Sequence, residues 1–181
     1  ISIDRLARQD ARVLGIVGAG HQAAFQLRAA ARVRAFDRVI AWNLHPEMLP
    51  RLGAVAAELG LPFEAVDLPR MREADVIITI TSSPAASLMA AHVSSGTHLA
   101  CMGTDTVGKQ EVEPALLAST SVFTDEVAQS VTIGEAQHAI APLIVVAHPA
   151  FEARVSTGHR IGQLRPACSQ VDGPATEAEA A

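Results

Sequence analysis

Short, solidly apolar runs alternate with helix-compatible stretches along most of this chain. Val13-Leu14-Gly15-Ile16-Val17, Val39-Ile40-Ala41-Trp42, Val76-Ile77-Ile78-Thr79-Ile80 and Leu99-Ala100-Cys101-Met102 show no in–out alternation. A strand that is apolar on both sides must be covered on both sides, so it belongs in a parallel sheet with helices packed on each face. The spacing predicts strands at about 12–17, 38–43, 63–66, 75–80, 97–102 and 121–124. Helices are expected at 3–11, 21–35, 46–59 and 114–118, with a short helix or turn at 67–74. Pro46 suits a first helical turn, and Gly60 a C-terminal stop. The result is an α/β chain with a doubly wound parallel sheet, a Rossmann domain over 12–140. It is preceded by a lead-in helix at 1–11 and followed by a divergent segment, 141–181. Within that segment 141–146 could form a strand, and the Ala/Glu-rich stretch from Pro166 on reads as a mobile tail.

The first strand runs directly into Gly18-Ala19-Gly20-His21-Gln22-Ala23. Such a junction sets bare N–H groups and the positive end of a helix dipole at the sheet edge, where a pyrophosphate can sit. Gly18 permits the tight turn. Gly20 lets phosphate approach the backbone, and Ala23 is small enough for close helix–strand packing. His21 and Gln22 complete the loop, His21 through its backbone. In an open parallel sheet the ligand lies beyond the carboxyl ends of the strands, so the following strand ends matter too. Asn43 and Leu44 end the second strand. An acidic residue there would favour NAD. Asn43 can bond a ribose without repelling a 2′-phosphate, and the choice between NAD and NADP stays open. Thr81 and Ser82 end the fourth strand, either as ribose and phosphate ligands or as a turn cluster. Met102 and Gly103 end the fifth, where Gly103 lets a flat ring lie on the backbone. Asp105 then supplies a carboxylate that can relay protons or stabilise an iminium. By position alone it could equally be a turn aspartate. Lys109 is the only lysine, against thirteen arginines; it is either a coenzyme contact or a solvated loop residue.

Composition narrows the classes. With 49% hydrophobic residues a sizeable core is available, and a net charge of −5 without a basic stripe argues against nucleic acid. No apolar stretch is long enough to span a bilayer. The two cysteines, Cys101 and Cys168, suggest neither a disulfide framework nor zinc, which fits the cytoplasm. The seven histidines lack metal-ligand spacing, so no metal is expected.

LGIVGAGHQA, ADVIITITSSP, GTDTVGKQEVEPALLA and TDEVAQSVTIGE, in this order, resemble the ornithine cyclodeaminase/μ-crystallin family from Leu14 to Ile140. The G-x-D-x-x-G-K-x-E element at Gly103–Glu111 is the most specific part. The resemblance implies Asp105 as general acid/base, and Gly20, His21, Asn43, Thr81, Met102, Gly103 and Lys109 along an NAD or NADP site. It implies a small amino-acid or cyclic-imine substrate and a homodimer, with the family's substrate and dimerisation domain largely outside these 181 residues. The activity it implies is cyclodeamination of an amino acid by hydride transfer at the α-carbon. The alternatives are an amino-acid dehydrogenase or ketimine reductase, or a binding module without turnover.

Overall fold

The computed structural model describes residues 1–138 and 145–147. Helix α1 (Ser2–Leu6) leads into β1 (Val13–Val17), α2 (His21–Val33) and β2 (Arg38–Trp42). A 3-10 turn at Pro46–Met48 opens α3 (Leu49–Glu58), which is followed by β3 (Phe63–Ala65), β4 (Val76–Thr79) and β5 (His98–Cys101). The remaining elements are α4 (Pro114–Ala118), β6 (Val122–Thr124), α5 (Val127–Ile133), β7 (Val145–Ala147) and 3-10 turns at Leu68–Glu73, where the sequence predicts a short helix or turn, Ala90–His92 and Glu135–His138. The main sheet is parallel with order β3-β2-β1-β4-β5.

Solid apolarity has the expected origin. Alternate residues of the central strands feed two cores. Leu14, Ile16, Val39, Ala41, Val76 and Ile78 pack with Ala23, Leu27 and Ala30 of α2 and Leu52 and Ala56 of α3. Val17, Ile40 and Ile77 face the other way, onto Met71, Leu88, Val112, Leu116 and Leu117. Each fully buried Leu or Ile contributes about 1.5–3 kcal/mol, so both faces anchor the strand ends that carry the site.

Several boundaries differ from the sequence expectation. The lead-in helix stops at Leu6 rather than near residue 11, because Ala7 is already extended. The N–H groups of Arg12 and Val13 then donate to the Asp75 carboxylate at 2.8 and 2.9 Å, which straightens the chain into β1. The helix expected from residue 46 is split: Pro50 has no N–H to continue the helical bonding from Pro46, so a 3-10 turn precedes α3. The sixth strand does not join the main sheet. Its central residue, Phe123, is 40% exposed, so the run is not covered on both faces as the inner strands are, and it pairs instead with β7 in a separate parallel pair. Helix α5 was not foreseen, because Val127, Val131, Thr132 and Ile133 are β-branched and weak helix formers. Its local signal is Glu126, whose carboxylate caps the Ala128 N–H at 3.0 Å. The expected boundary at residue 140 and the expected tail lie outside the described residues.

Candidate functional site

Pairing places the ends of β1, β4 and β5 side by side, with Val17 opposite Thr79 and Thr79 opposite Cys101. The turns that follow are in direct contact. Gly18 has φ +113°, and a Cβ there would lie under 3 Å from the Ile80 carbonyl. Its N–H donates to the Trp42 carbonyl at 2.8 Å. A Cβ at Gly103 would likewise collide with the Thr81 carbonyl and the Glu111 carboxylate. Glycine is therefore required at both points by close approach.

Gly20 precedes α2 and differs in kind: a Cβ there would meet nothing within 4 Å. No side chain caps α2, and its first turn holds no acid. This is an uncapped helix N-terminus facing open space, the arrangement that favours an anion. The backbone around Gly20 thus fits a pyrophosphate without rearrangement. His21 and Gln22 are exposed at its rim, and the His21 ring meets Phe25 edge-on at 5.3 Å.

Asn43 is half-buried and already engaged. Its Oδ1 accepts the Ala19 N–H at 3.0 Å, and its Nδ2 donates to the His45 carbonyl at 2.8 Å. It braces the glycine turn from the end of β2, and Oδ1 keeps one lone pair for a further donor. Leu44 beside it is 73% exposed, an apolar surface without cover. In the Thr81–Ser83 cluster the turn reading describes two of the three hydroxyls. Thr81 Oγ1 accepts the Ser83 N–H at 3.3 Å, and Ser83 Oγ bridges the Ala85 N–H and carbonyl; Ser82 is exposed.

Beyond β5, Met102 is largely exposed, and its N–H donates to the Thr79 carbonyl at 2.8 Å. Asp105 stands exposed on the next turn. Its Oδ1 accepts from Lys109 Nζ at 2.6 Å and from Thr106 Oγ1 at 3.2 Å. Those two hydrogen bonds and the ammonium charge hold its carboxyl below the ordinary 3.8, so it is a carboxylate at neutral pH. Lys109 is thus neither free nor merely solvated; it is the partner of Asp105. A cleft of about 1200 Å³ runs along the outer edge of β5 and reaches Met102, Thr104 and Asp105.

Sequence reasoning gave no role to Glu111, which is fully buried. Its carboxylate accepts the Thr81 N–H at 2.5 Å, the Gly103 N–H at 2.7 Å and the Thr79 hydroxyl at 2.7 Å. One side chain thereby ties the ends of β4 and β5 together. The signal was an acid closing the Gly103–Glu111 element; the placement of its bonds was not readable from spacing. Cys101 packs at the border of the second core, as a small core residue would. Among the described residues no group of His, Cys, Asp and Glu could hold a metal ion, and no helix is long and apolar enough to cross a membrane.

Known proteins share this fold. The chain is 65% identical over 142 residues to an iminosuccinate reductase of Paracoccus denitrificans (strain Pd 1222), covering 78% of this chain and 44% of that protein. The crystal structure of the Paracoccus denitrificans reductase in complex with NAD+ matches with a TM-score of 0.75, over 77% of this chain and 44% of that one. An archaeal alanine dehydrogenase dimer with bound NAD matches with a TM-score of 0.73 at 29% identity, over 75% and 42%. An ornithine cyclodeaminase of Agrobacterium fabrum (strain C58) is 30% identical over 168 residues, 90% of this chain and 46% of that protein. The chain spans less than half the length of each of these relatives. The sequence profile of the ornithine cyclodeaminase/mu-crystallin family matches residues 1–169. With its parallel Rossmann-like sheet and the Gly103–Glu111 element at the sheet edge, the chain belongs to the ornithine cyclodeaminase/mu-crystallin family.

Proposed function

We propose that this chain is the coenzyme-binding part of an NAD-dependent enzyme of amino-acid metabolism that reduces an α-imino acid to the amino acid, with iminosuccinate as the first substrate to test. The observation that carries this reading is the 65% identity to a protein named for that reaction, against 30% to an ornithine cyclodeaminase. It replaces cyclodeamination by the reductase chemistry weighed beside it. NAD is the coenzyme proposed, because the two relatives' crystals hold it. The same reading makes the protein a homodimeric cytoplasmic enzyme.

In this proposal the N–H groups of Gly20, His21 and Gln22 hold the pyrophosphate. Gly18 keeps the turn tight beneath them. Asn43 and Leu44 flank the adenosine end, Asn43 through the remaining lone pair of Oδ1. Thr81 and Ser82 face the central ribose, and Met102 and Gly103 border the ring. The bound nicotinamide supplies the hydride that goes to the imine carbon. The Asp105 carboxylate accepts a hydrogen bond from the imine nitrogen and stabilises its positive charge, and Lys109 keeps that carboxylate ionised and oriented. One proton on nitrogen and one hydride on carbon convert C=N to the amine, so reduction of iminosuccinate yields aspartate.

The test is an assay of the purified protein with NADH, oxaloacetate and ammonia, which generate iminosuccinate in solution. Equal loss of NADH and gain of aspartate is expected. In a parallel assay with ornithine and NAD+, formation of proline with no net change in NADH would replace this reading by cyclodeamination. Binding of NADH with neither turnover would leave a binding module.

A further inference from the structure

We propose that Glu135 is a positioning residue for the Asp105–Lys109 pair, acting through the loop that carries it. The inference rests on the reading of Asp105 above, and it adds a residue from a different element. Glu135 begins the 3-10 turn after α5 and is only 8% exposed. Its Oε1 accepts the Glu111 N–H at 2.7 Å, and its Oε2 accepts the Val112 N–H at 3.3 Å. Oε1 also accepts the Thr104 hydroxyl. The same turn makes two further attachments. Gln137 Oε1 accepts the Gly108 N–H at 2.8 Å, while Gln137 Nε2 and His138 Nε2 meet the Lys109 carbonyl at 3.4 and 2.6 Å.

These bonds fall on Thr104, Gly108, Lys109, Glu111 and Val112. They bracket Asp105 on both sides, and none of them touches it. A loop left to itself would have to order its backbone each time the carboxylate is needed, at a cost in conformational entropy. A strap that fixes both ends of the turn sets that geometry in advance. Burial of a carboxylate is costly unless it is fully bonded; here burial pushes the Glu135 carboxyl up against the opposing pull of its three donors. The bonds continue inward. Glu135 holds the backbone of Glu111, and the Glu111 side chain holds the ends of β4 and β5. A continuous run of hydrogen bonds therefore joins the turn after α5 to the strand ends around Gly103.

The experiment compares Glu135→Ala and Glu135→Gln with the parent chain by three readouts: amide hydrogen exchange at Glu111 and Val112, carbon-detected titration of Asp105, and NAD+ affinity. In Glu135→Ala the two amides are expected to exchange at least tenfold faster relative to amides of β1. The Asp105 titration should move up toward that of a free aspartate, and the NAD+ Kd should stay within threefold. Glu135→Gln, which keeps the shape and one acceptor oxygen, should show the same changes at smaller size, and it serves if the alanine variant fails to fold. In the active enzyme, kcat should fall ten- to a hundredfold with the KM for NADH within threefold. An Asp105 titration that does not move in either variant would overturn the proposal. Failure of the parent chain to bind NAD+ would overturn the functional reading instead, and the exchange and titration results would still decide the role of Glu135.

Discussion

The turn after β1 and the loop after β5 occupy the same edge of one sheet, and they are made differently. Around Gly18–Gln22 the site consists of backbone: N–H groups at an uncapped helix start, with a single side chain, Asn43, bracing the turn. Around Gly103–Val112 it consists of side chains. Asp105 is exposed beside a half-buried Lys109, and two buried carboxylates, Glu111 and Glu135, hold the loop from behind. A phosphate needs only donors and a dipole, which any helix start supplies. A proton-handling carboxylate needs a fixed position and a tuned charge, which only neighbouring side chains can give.

Substitutions should separate the two regions. The largest effect is expected at Asp105. Asp105→Asn should lower kcat by about 10²–10⁴-fold while the NAD+ Kd, followed by fluorescence titration, changes little. A matching loss of NAD+ affinity would show that the two regions act as one. Gly18→Ala comes next. At φ +113° with the Ile80 carbonyl in the way, it should cost at least about 1–3 kcal/mol of stability in urea unfolding. Gly20→Ala is the counterpart. Its φ is −68° and its Cβ meets nothing, so stability should stay within about 0.5 kcal/mol. The new methyl group stands where the phosphate would come, so NAD+ should bind about tenfold more weakly, or about 1.4 kcal/mol. Unchanged NAD+ affinity in Gly20→Ala would remove the phosphate from this turn. The smallest effect is at Lys109. On the proposed role of Asp105, activity needs its ionised form and should hold as pH falls until the pH nears that lowered pKa. Lys109→Met removes the bond that lowers it, and the acid limb of the pH profile should move up toward 3.8.

The same contrast explains what could be read in advance. Strands β1, β2, β4 and β5 and the glycine junction were legible because burial on both faces and local turn geometry are written in neighbouring residues. The end of α1 and the split of α3 were not, since the chain between α1 and β1 is held at Arg12 and Val13 by Asp75, more than sixty residues away, and Pro50 acts against a pattern that otherwise reads as one helix. Asp105 and Lys109 were legible as types at an exposed strand end. Their pairing with each other was not. Glu111 and Glu135 were hidden because their meaning lies in bonds spanning from eight to more than thirty residues. No periodicity or local spacing encodes such bonds. Strand β6 misled for the opposite reason: a short local apolar run looked like the others, but its Phe123 is left exposed and its partner is β7 rather than β5.

The most direct measurement is a crystal structure of this chain with NAD+. Pyrophosphate oxygens on the N–H groups of Gly20–Gln22, with the nicotinamide over Gly103 and its reactive face toward Asp105, are the expected result. A coenzyme seated elsewhere, or bound at Gly20 with its ring turned away from the Asp105 loop, would contradict the pairing of a backbone-built phosphate site with a side-chain-built proton site.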